Sequence, residues 1–336
     1  MQPLQEAVDE ASARSGFSGA VRLDRAGENE LFKAYGLADR AHGIPNTVET
    51  LFATASGTKG LTALVVMGLV ERGTLELGTT ARSLLGADLP LIADDVTIEH
   101  LLAHRSGIGD YLDEDELDDR NAYVMPVPVH ELATTEQYLR VLDGHQTVSP
   151  AGERFAYNNG GYVLLALLAE RASGVGFHEL VRTMVSEPAG MVDTAFLRSD
   201  ELPGRAALGY LFDDGLRTNV LHLPVLGTGD GGIYSTAADF SAFWDAFFAG
   251  RIVSPDRVDQ MVSPHSDWPE EDKRYGLGFH LAATGDAVWL EGSDAGVSFA
   301  SLHQPSTSVT YTVISNRTAG AWPIVKVLGA RLAGSG

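Results

Sequence analysis

No cysteine occurs among the 336 residues, so disulfides, thiolate nucleophiles and cysteine-ligated zinc are excluded. Basic side chains are scarce: 24 Lys and Arg stand against 45 Asp and Glu, for a formal charge of −21. Nucleic acid requires clustered cations against its phosphates, so it is not an expected partner, and an anionic membrane is disfavoured likewise. Long apolar runs are missing too. The longest, Leu61 to Val70, has about half the length of a bilayer-spanning helix. The opening stretch MQPLQEAVDEASARSG reads as an amphipathic helix without the basic start and apolar run of a secretion signal, which makes a cytoplasmic location the expectation. There is no internal repeat, low-complexity tract or flexible linker. Neither His130-Glu131 nor His178-Glu179 extends to H-E-x-x-H, no serine lies in G-x-S-x-G, and no Walker-type loop is present. The ten histidines show no metal-ligand spacing, so no metal and no cofactor are expected.

With 44% apolar and 21% charged residues, the chain suits a compact globular enzyme of one large domain or two interleaved ones. Alternating apolar residues in Gly19–Leu23 and Leu31–Tyr35, around the turn-rich DRAGENE, predict a β-hairpin. From residue 56 the pattern becomes helical. GLTALVVMGLVERG is apolar on nearly every side, and helical signals recur at Ile98–Ala103, Thr135–Leu142, Gly161–Ala172 and Phe177–Glu187. Ser235-Thr236-Ala-Ala-Asp239 predicts a capping box before FSAFWDAFFAG. Strands return at Ala287–Glu291, Val297–His303 and Val309–Ser315, joined by GSDAG and QPSTS as an antiparallel meander requires, and a helix at about 323–332 follows. The expectation is an α/β (α+β) fold, an antiparallel sheet flanked by terminal helices. Residues 1–75 and 216–336 would form the sandwich, with 76–215 an all-helical insertion and the active site at their interface.

The chemistry centres on Ser56-Gly57-Thr58-Lys59, where an irregular segment enters the apolar helix. Residues three apart on a helix share a face, which sets a hydroxyl beside an amine. A helix N-terminus and burial both disfavour a charged lysine, so a neutral amine is available to take the serine proton. The Ser56 N–H is in turn a candidate oxyanion donor. The bland alternative is a capping serine followed by a surface lysine. Tyr157-Asn158-Asn159 forms the second constellation: residues two apart in an extended segment point the same way, so phenol and Asn159 amide can face one cleft. Here the alternative is that Tyr157 packs while an asparagine caps the helix. The acidic run DYLDEDELDDR at 110–120 reads either as a solvated loop or as part of an anionic pocket.

In order and spacing, FSGAVRLDRAG, LFATASGTKGLTALVVMGLVERGTLEL, LLAHRSGI, SPAGERFAYNNGGYVLLALLAERASG, PAGMVDT, GDGGIYSTAADFSAF and the strands ending VISN resemble the serine β-lactamase and DD-peptidase superfamily. The resemblance covers about residues 15–316 and is nearest the class C branch and the family VIII esterases. It implies Ser56 as nucleophile, Lys59 as base, Tyr157 as proton relay and Asn159 as contact to a substrate amide. His104 falls in an element that looks structural, Asp239 suits a helix cap, and Asp230 receives no role. The third family motif departs from the pattern. Where relatives carry Lys or His to hold a substrate carboxylate, this chain aligns Leu290-Glu291-Gly292. Gly292 then leaves room for substrate and the Ser293 N–H becomes the second oxyanion donor. Glu291 either faces the pocket, with Asp294, and selects a free amine, or points away and leaves a neutral pocket suited to esters. The implied activity is hydrolysis of a small-molecule ester or amide through an acyl-enzyme on Ser56. Acyl transfer, β-lactamase or DD-carboxypeptidase activity, and a catalytically silent binder remain alternatives, and the oligomeric state is left open.

Overall fold

The computed structural model describes residues 3–114, 117, 119–268 and 271–333; Asp115, Glu116 and Asp118 of the acidic run lie outside them. The expected hairpin forms from β1 (Gly19–Arg25) and β2 (Glu28–Tyr35), with a tighter connection than the sequence predicts. Ala26 and Gly27 both take positive φ, 50° and 83°, the geometry that matches a two-residue turn to the strand twist. Later come β3 (Ser266–Trp268), β4 (Lys273–Tyr275), β5 (His280–Ala282), β6 (Val288–Asp294), β7 (Val297–Gln304) and β8 (Val309–Ser315). Together they make one eight-stranded antiparallel sheet in the order β2-β1-β8-β7-β6-β5-β4-β3. β6 runs through Gly292, Ser293 and Asp294, so the turn to β7 is shortened to Ala295 and Gly296.

Helices cover both faces of this sheet. On one side α1 (Leu4–Ser15) and the C-terminal helix (Trp322–Ala333) enclose Val8, Val21, Tyr311, Val313, Ile324 and Leu328. On the other lie α2 (Thr58–Glu71) and an aromatic helix, Ala237–Phe248, which buries Phe240, Phe243, Trp244 and Phe247. α2 turns no polar face to solvent: its leucines and valines up to Leu69 are at most 3% exposed, and each contributes roughly 1.5–3 kcal/mol by burial. Two glycines set its distance from the sheet. A Cβ on Gly57 would meet the Phe299 ring at 2.4 Å, and one on Gly60 would meet Leu290 at 2.6 Å.

Region 76–215 is mostly helix and irregular chain, including the buried α3 (Asn159–Ser173) packed on α2. Its expected all-helical character needs correction at one point. Ala195–Phe196 is a strand, joined through Ile233–Ser235 to Phe52–Ala53 in a small three-stranded sheet. The predicted capping box is also only half formed: Thr236 accepts from the Asp239 N–H at 3.1 Å, whereas the Asp239 carboxylate bonds Asp193 N and Thr194 Oγ1. That carboxylate therefore ties the aromatic helix to the segment before Ala195 rather than closing its own cap. No helix among the described residues is long and apolar enough to cross a membrane.

Candidate active site

Ser56 lies in a single 3-10 turn, Ala55–Gly57, directly ahead of α2. Ala55 holds φ 45°, an uncommon backbone conformation for alanine that the surroundings must enforce. They do so through Thr58 Oγ1, which donates to Ala55 O at 2.8 Å and accepts from Ile233 N, and through Thr54 N bonded to Ile233 O. The turn is thus fastened to the small sheet behind it. On its other side β6 comes unusually close: a Cβ on Gly292 would stand 2.3 Å from Thr54 O and 2.7 Å from Ser56 N. Only glycine permits this approach.

Helical spacing brings Lys59 Nζ to 2.9 Å from Ser56 Oγ. The ammonium is 1% exposed and also donates to Asn159 Oδ1 at 2.7 Å and to the Asp230 carbonyl at 2.9 Å. Burial lowers its pKa from the ordinary lysine value, although the charges of Asp230, Glu114, Asp110 and Asp294 oppose this. The three partners decide what the neutral amine does. Asn159 Oδ1 and the Asp230 carbonyl can only accept, so they hold the two remaining N–H groups. The lone pair is then left facing the Ser56 hydroxyl.

Tyr157 sits in the extended segment before α3, with the Lys59 nitrogen 5.0 Å from its ring centroid. Burial pushes its phenol well above the usual value, more than a hydrogen bond with Ser56 pulls it down. The phenol therefore stays protonated. His104 fixes the ring. Their centroids are 4.4 Å apart, and His104 Nδ1 accepts the Asn158 N–H at 3.1 Å. Burial keeps that imidazole neutral.

Asn159, expected to contact a substrate amide, has partners at both ends of its side-chain amide. Its Nδ2 already donates to Leu112 O at 2.9 Å and to Glu114 Oε1 at 3.2 Å, so both amide hydrogens are engaged and none is free for a substrate amide. Its Oδ1 accepts from Lys59. The start of α3 is secured by Asp110, whose carboxylate accepts from Asn159 N and Gly160 N, and by Asn158, whose Oδ1 caps Gly161 N. Burial raises the Asp110 carboxyl to about 6.

Glu291 faces the site and carries a countercharge. Lys273 Nζ lies at 2.9 Å and Trp289 Nε1 at 3.2 Å, with His280 Nε2 at 3.8 Å. Burial alone would raise the carboxyl, but its neighbours hold it below the usual value. Because burial lowers His280 itself to about 4, Lys273 supplies the compensating charge at neutral pH. Neither sequence alternative for Glu291 describes this ion pair.

Two cavities meet at the serine. Ser56, Glu114 and Ser293 border both. The first extends toward Tyr111, Tyr138, Asp230 and Asp294. The second, about 590 Å³, is bordered by Tyr157, Trp268, His280, Glu291, Gly292 and Trp322. The sequence had assigned nothing to Asp230 or Lys273, and had read Glu114 only as part of the acidic run 110–120. For Asp230 a signal existed in the glycines of Thr228-Gly229-Asp230-Gly231-Gly232: a Cβ on Gly229 would stand 2.1 Å from Tyr162 O, so the loop presses on α3 and delivers its carbonyl to Lys59. No group of His, Asp and Glu with metal-holding geometry occurs among the described residues.

A family model described as Beta-lactamase matches residues 4–328. Esterase EstB of Burkholderia gladioli is 35% identical over 214 residues, which cover 62% of this chain and 54% of that protein. A penicillin-binding protein from Bacillus halodurans superimposes with a TM-score of 0.90 at 34% identity, over 96% of this chain and 99% of the other. A D-amino acid amidase from Ochrobactrum anthropi, solved with L-phenylalanine amide, gives 0.80 at 25% identity over 99% of each chain. The chain spans 63%, 62% and 54% of the length of three curated relatives it matches, EstB being the last.

Proposed function

The chain belongs to the β-lactamase family, and from that membership we propose that it is a serine hydrolase of small-molecule esters or amides, with Ser56, Lys59 and Tyr157 as its catalytic residues. One observation carries the reading: the buried Lys59 amine touches Ser56 Oγ while its other two contacts are obligate acceptors. Neutral Lys59 takes the Ser56 proton as Oγ attacks the substrate carbonyl. The oxyanion that forms is received by the Ser56 and Ser293 N–H groups, brought close because Gly292 lacks a side chain. Tyr157 gives its phenolic proton to the departing alcohol or amine and regains one from the Lys59 ammonium. Water then attacks the acyl-serine, losing its proton to the same pair, which returns it to Ser56 Oγ as the C–Oγ bond breaks and the acid leaves.

Ester and amide cleavage are in keeping with EstB and the D-amino acid amidase. Where relatives place a cation for a substrate carboxylate, this site has Glu291, and further carboxylates line the first cavity. Such surroundings favour a substrate with a free amine over one with a carboxylate, and so disfavour β-lactams. Mixing the protein with p-nitrophenyl acetate should release a burst of nitrophenolate equal to the enzyme concentration. Intact mass should rise by one acetyl group, and Ser56→Ala should abolish both. A burst that survives in Ser56→Ala overturns the assignment.

A further inference from the structure

The two cavities at Ser56 are not equivalent with respect to the reaction. Tyr157 borders only the second, so a leaving group that takes its proton departs on that side. The acyl group, which stays on Ser56, is left in the first cavity. The walls there combine aromatic rings and carboxylates: Tyr111, Tyr123 and Tyr138 with Glu114, Asp230 and Asp294. No lysine or arginine is among the described residues that border it.

The three carboxylates differ in what they already hold. Glu114 is paired with Arg120 at 2.5 Å, and Asp230 Oδ2 accepts the Tyr111 phenol. Asp294, among the described residues, has one side-chain hydrogen bond, from the adjacent Ala295 N–H, 2.8 Å to Oδ1. It is nonetheless held firmly in place. It ends β6, and the turn beyond it is pinned by Asn219 Nδ2 on Ala295 O and by Thr318 Oγ1 on Gly296 N. Burial, with Glu114 and Asp230 nearby, raises the Asp294 carboxyl to about 7 against the opposing charge of Arg120, whose guanidinium is paired with Glu114. A separate sign of a polar occupant comes from two other lining residues. Ser199 and His222 border the cavity as half-buried residues, yet their Oγ and Nδ1 atoms are buried and have no hydrogen-bond partner among the described residues, a condition that native structures rarely leave unexplained.

We propose that the first cavity receives an acyl group bearing a cationic amine, and that Asp294 is the carboxylate that selects it. The tyrosine faces beside it favour the same charge, since aromatic rings attract ammonium groups. This rests on the serine-hydrolase reading and adds to it which part of the substrate is charged and which residue reads that charge. The amine choice thereby moves from Glu291, neutralised by Lys273 on the leaving-group side, to the acyl side.

The test uses matched pairs of ethyl esters and primary amides. One member carries an ω-amino group on an acyl chain of increasing length, from glycyl upward, and the other carries methyl in its place. The ratio of kcat/KM, amino over alkyl, should exceed unity by roughly tenfold at one or more chain lengths, the scale of a charged contact in a partly desolvated site. Asp294→Asn, which keeps an acceptor for the Ala295 N–H, should remove most of that preference, and Asp294→Glu should retain part of it. A ratio at or below unity for every length, or a preference unchanged in Asp294→Asn, overturns the proposal. Ser56→Ala separates the two readings. If it is inactive while the ratio is flat, only the amine selection falls; if it still turns over substrate, the hydrolase reading falls with it.

Discussion

Gly292→Ala is the most informative single change, because its cost can be worked out from the backbone. The added Cβ would sit 2.3 Å from Thr54 O, 2.7 Å from Ser56 N and 2.9 Å from Gly57 N. Unstrained carbon contacts begin near 3.5 Å, so β6 and the Ser56 turn must separate by roughly 1 Å. All three obstacles are backbone atoms, and no side-chain rotation relieves them. The Ser56 turn is also tied behind to Ile233, so most of the movement falls on β6 and carries Ser293 N away from the reacting carbonyl. Losing one well-placed oxyanion donor costs about 10²–10³ in rate, whereas overpacking of this kind costs about 1–3 kcal/mol of stability. The acylation rate with p-nitrophenyl acetate in stopped flow should therefore fall by about two orders of magnitude, while the thermal transition drops by only a few degrees. Gly78→Ala is the control, since nothing lies within 4 Å of a Cβ there. Near-native acylation by Gly292→Ala would refute the close seating of β6 on Ser56, and with it the paired oxyanion donors.

Tyr157→Phe should discriminate between substrates. Nitrophenolate departs without a proton whereas an amine does not, so amide turnover should fall by about 10²–10⁴ and nitrophenyl acetate acylation far less; equal losses would remove the phenol from the role of proton donor. The acylation rate should rise with pH as Lys59 becomes neutral. Because burial depresses that group, the rise should be centred below the usual lysine value; a flat profile from mildly acid to alkaline pH, or a midpoint at or above that value, would count against Lys59 as base.

The parts of the site legible in the sequence are those fixed by local geometry. Ser56 and Lys59 share a helix face at a spacing of three, and the run after Lys59 is too apolar to leave the amine in water; their 2.9 Å contact follows from that much. The meander could be read from its alternation and turn residues, although the continuation of β6 through Gly292–Asp294 could not, since GSDAG looks like a loop in isolation. What escaped the sequence depends on partners brought together by the fold. Asp230 meets Lys59 through its backbone carbonyl, which no side-chain pattern announces. Lys273 reaches Glu291 from β4, two strands away across the sheet. Asn159 fits a family pattern for substrate contact, yet Glu114 and Leu112, far back along the chain, occupy its donors.

β1 lies between β2 and β8, and its register pairs Gly19 with Ser315. The hairpin is therefore joined to the rest of the sheet by a strand that comes far later in the chain. A nascent chain must keep β1, β2 and the apolar α2 waiting until β8 has been made, with the exposed edge of the hairpin vulnerable to misassociation meanwhile. Removing β8 would leave every residue around Ser56 in the chain and still deprive the nucleophile of its framework. Conversely, α1 and the C-terminal helix pack against each other, so a short tether joining them, with new ends opened at the exposed Gly215, would give a permuted protein in which the central pairing forms early.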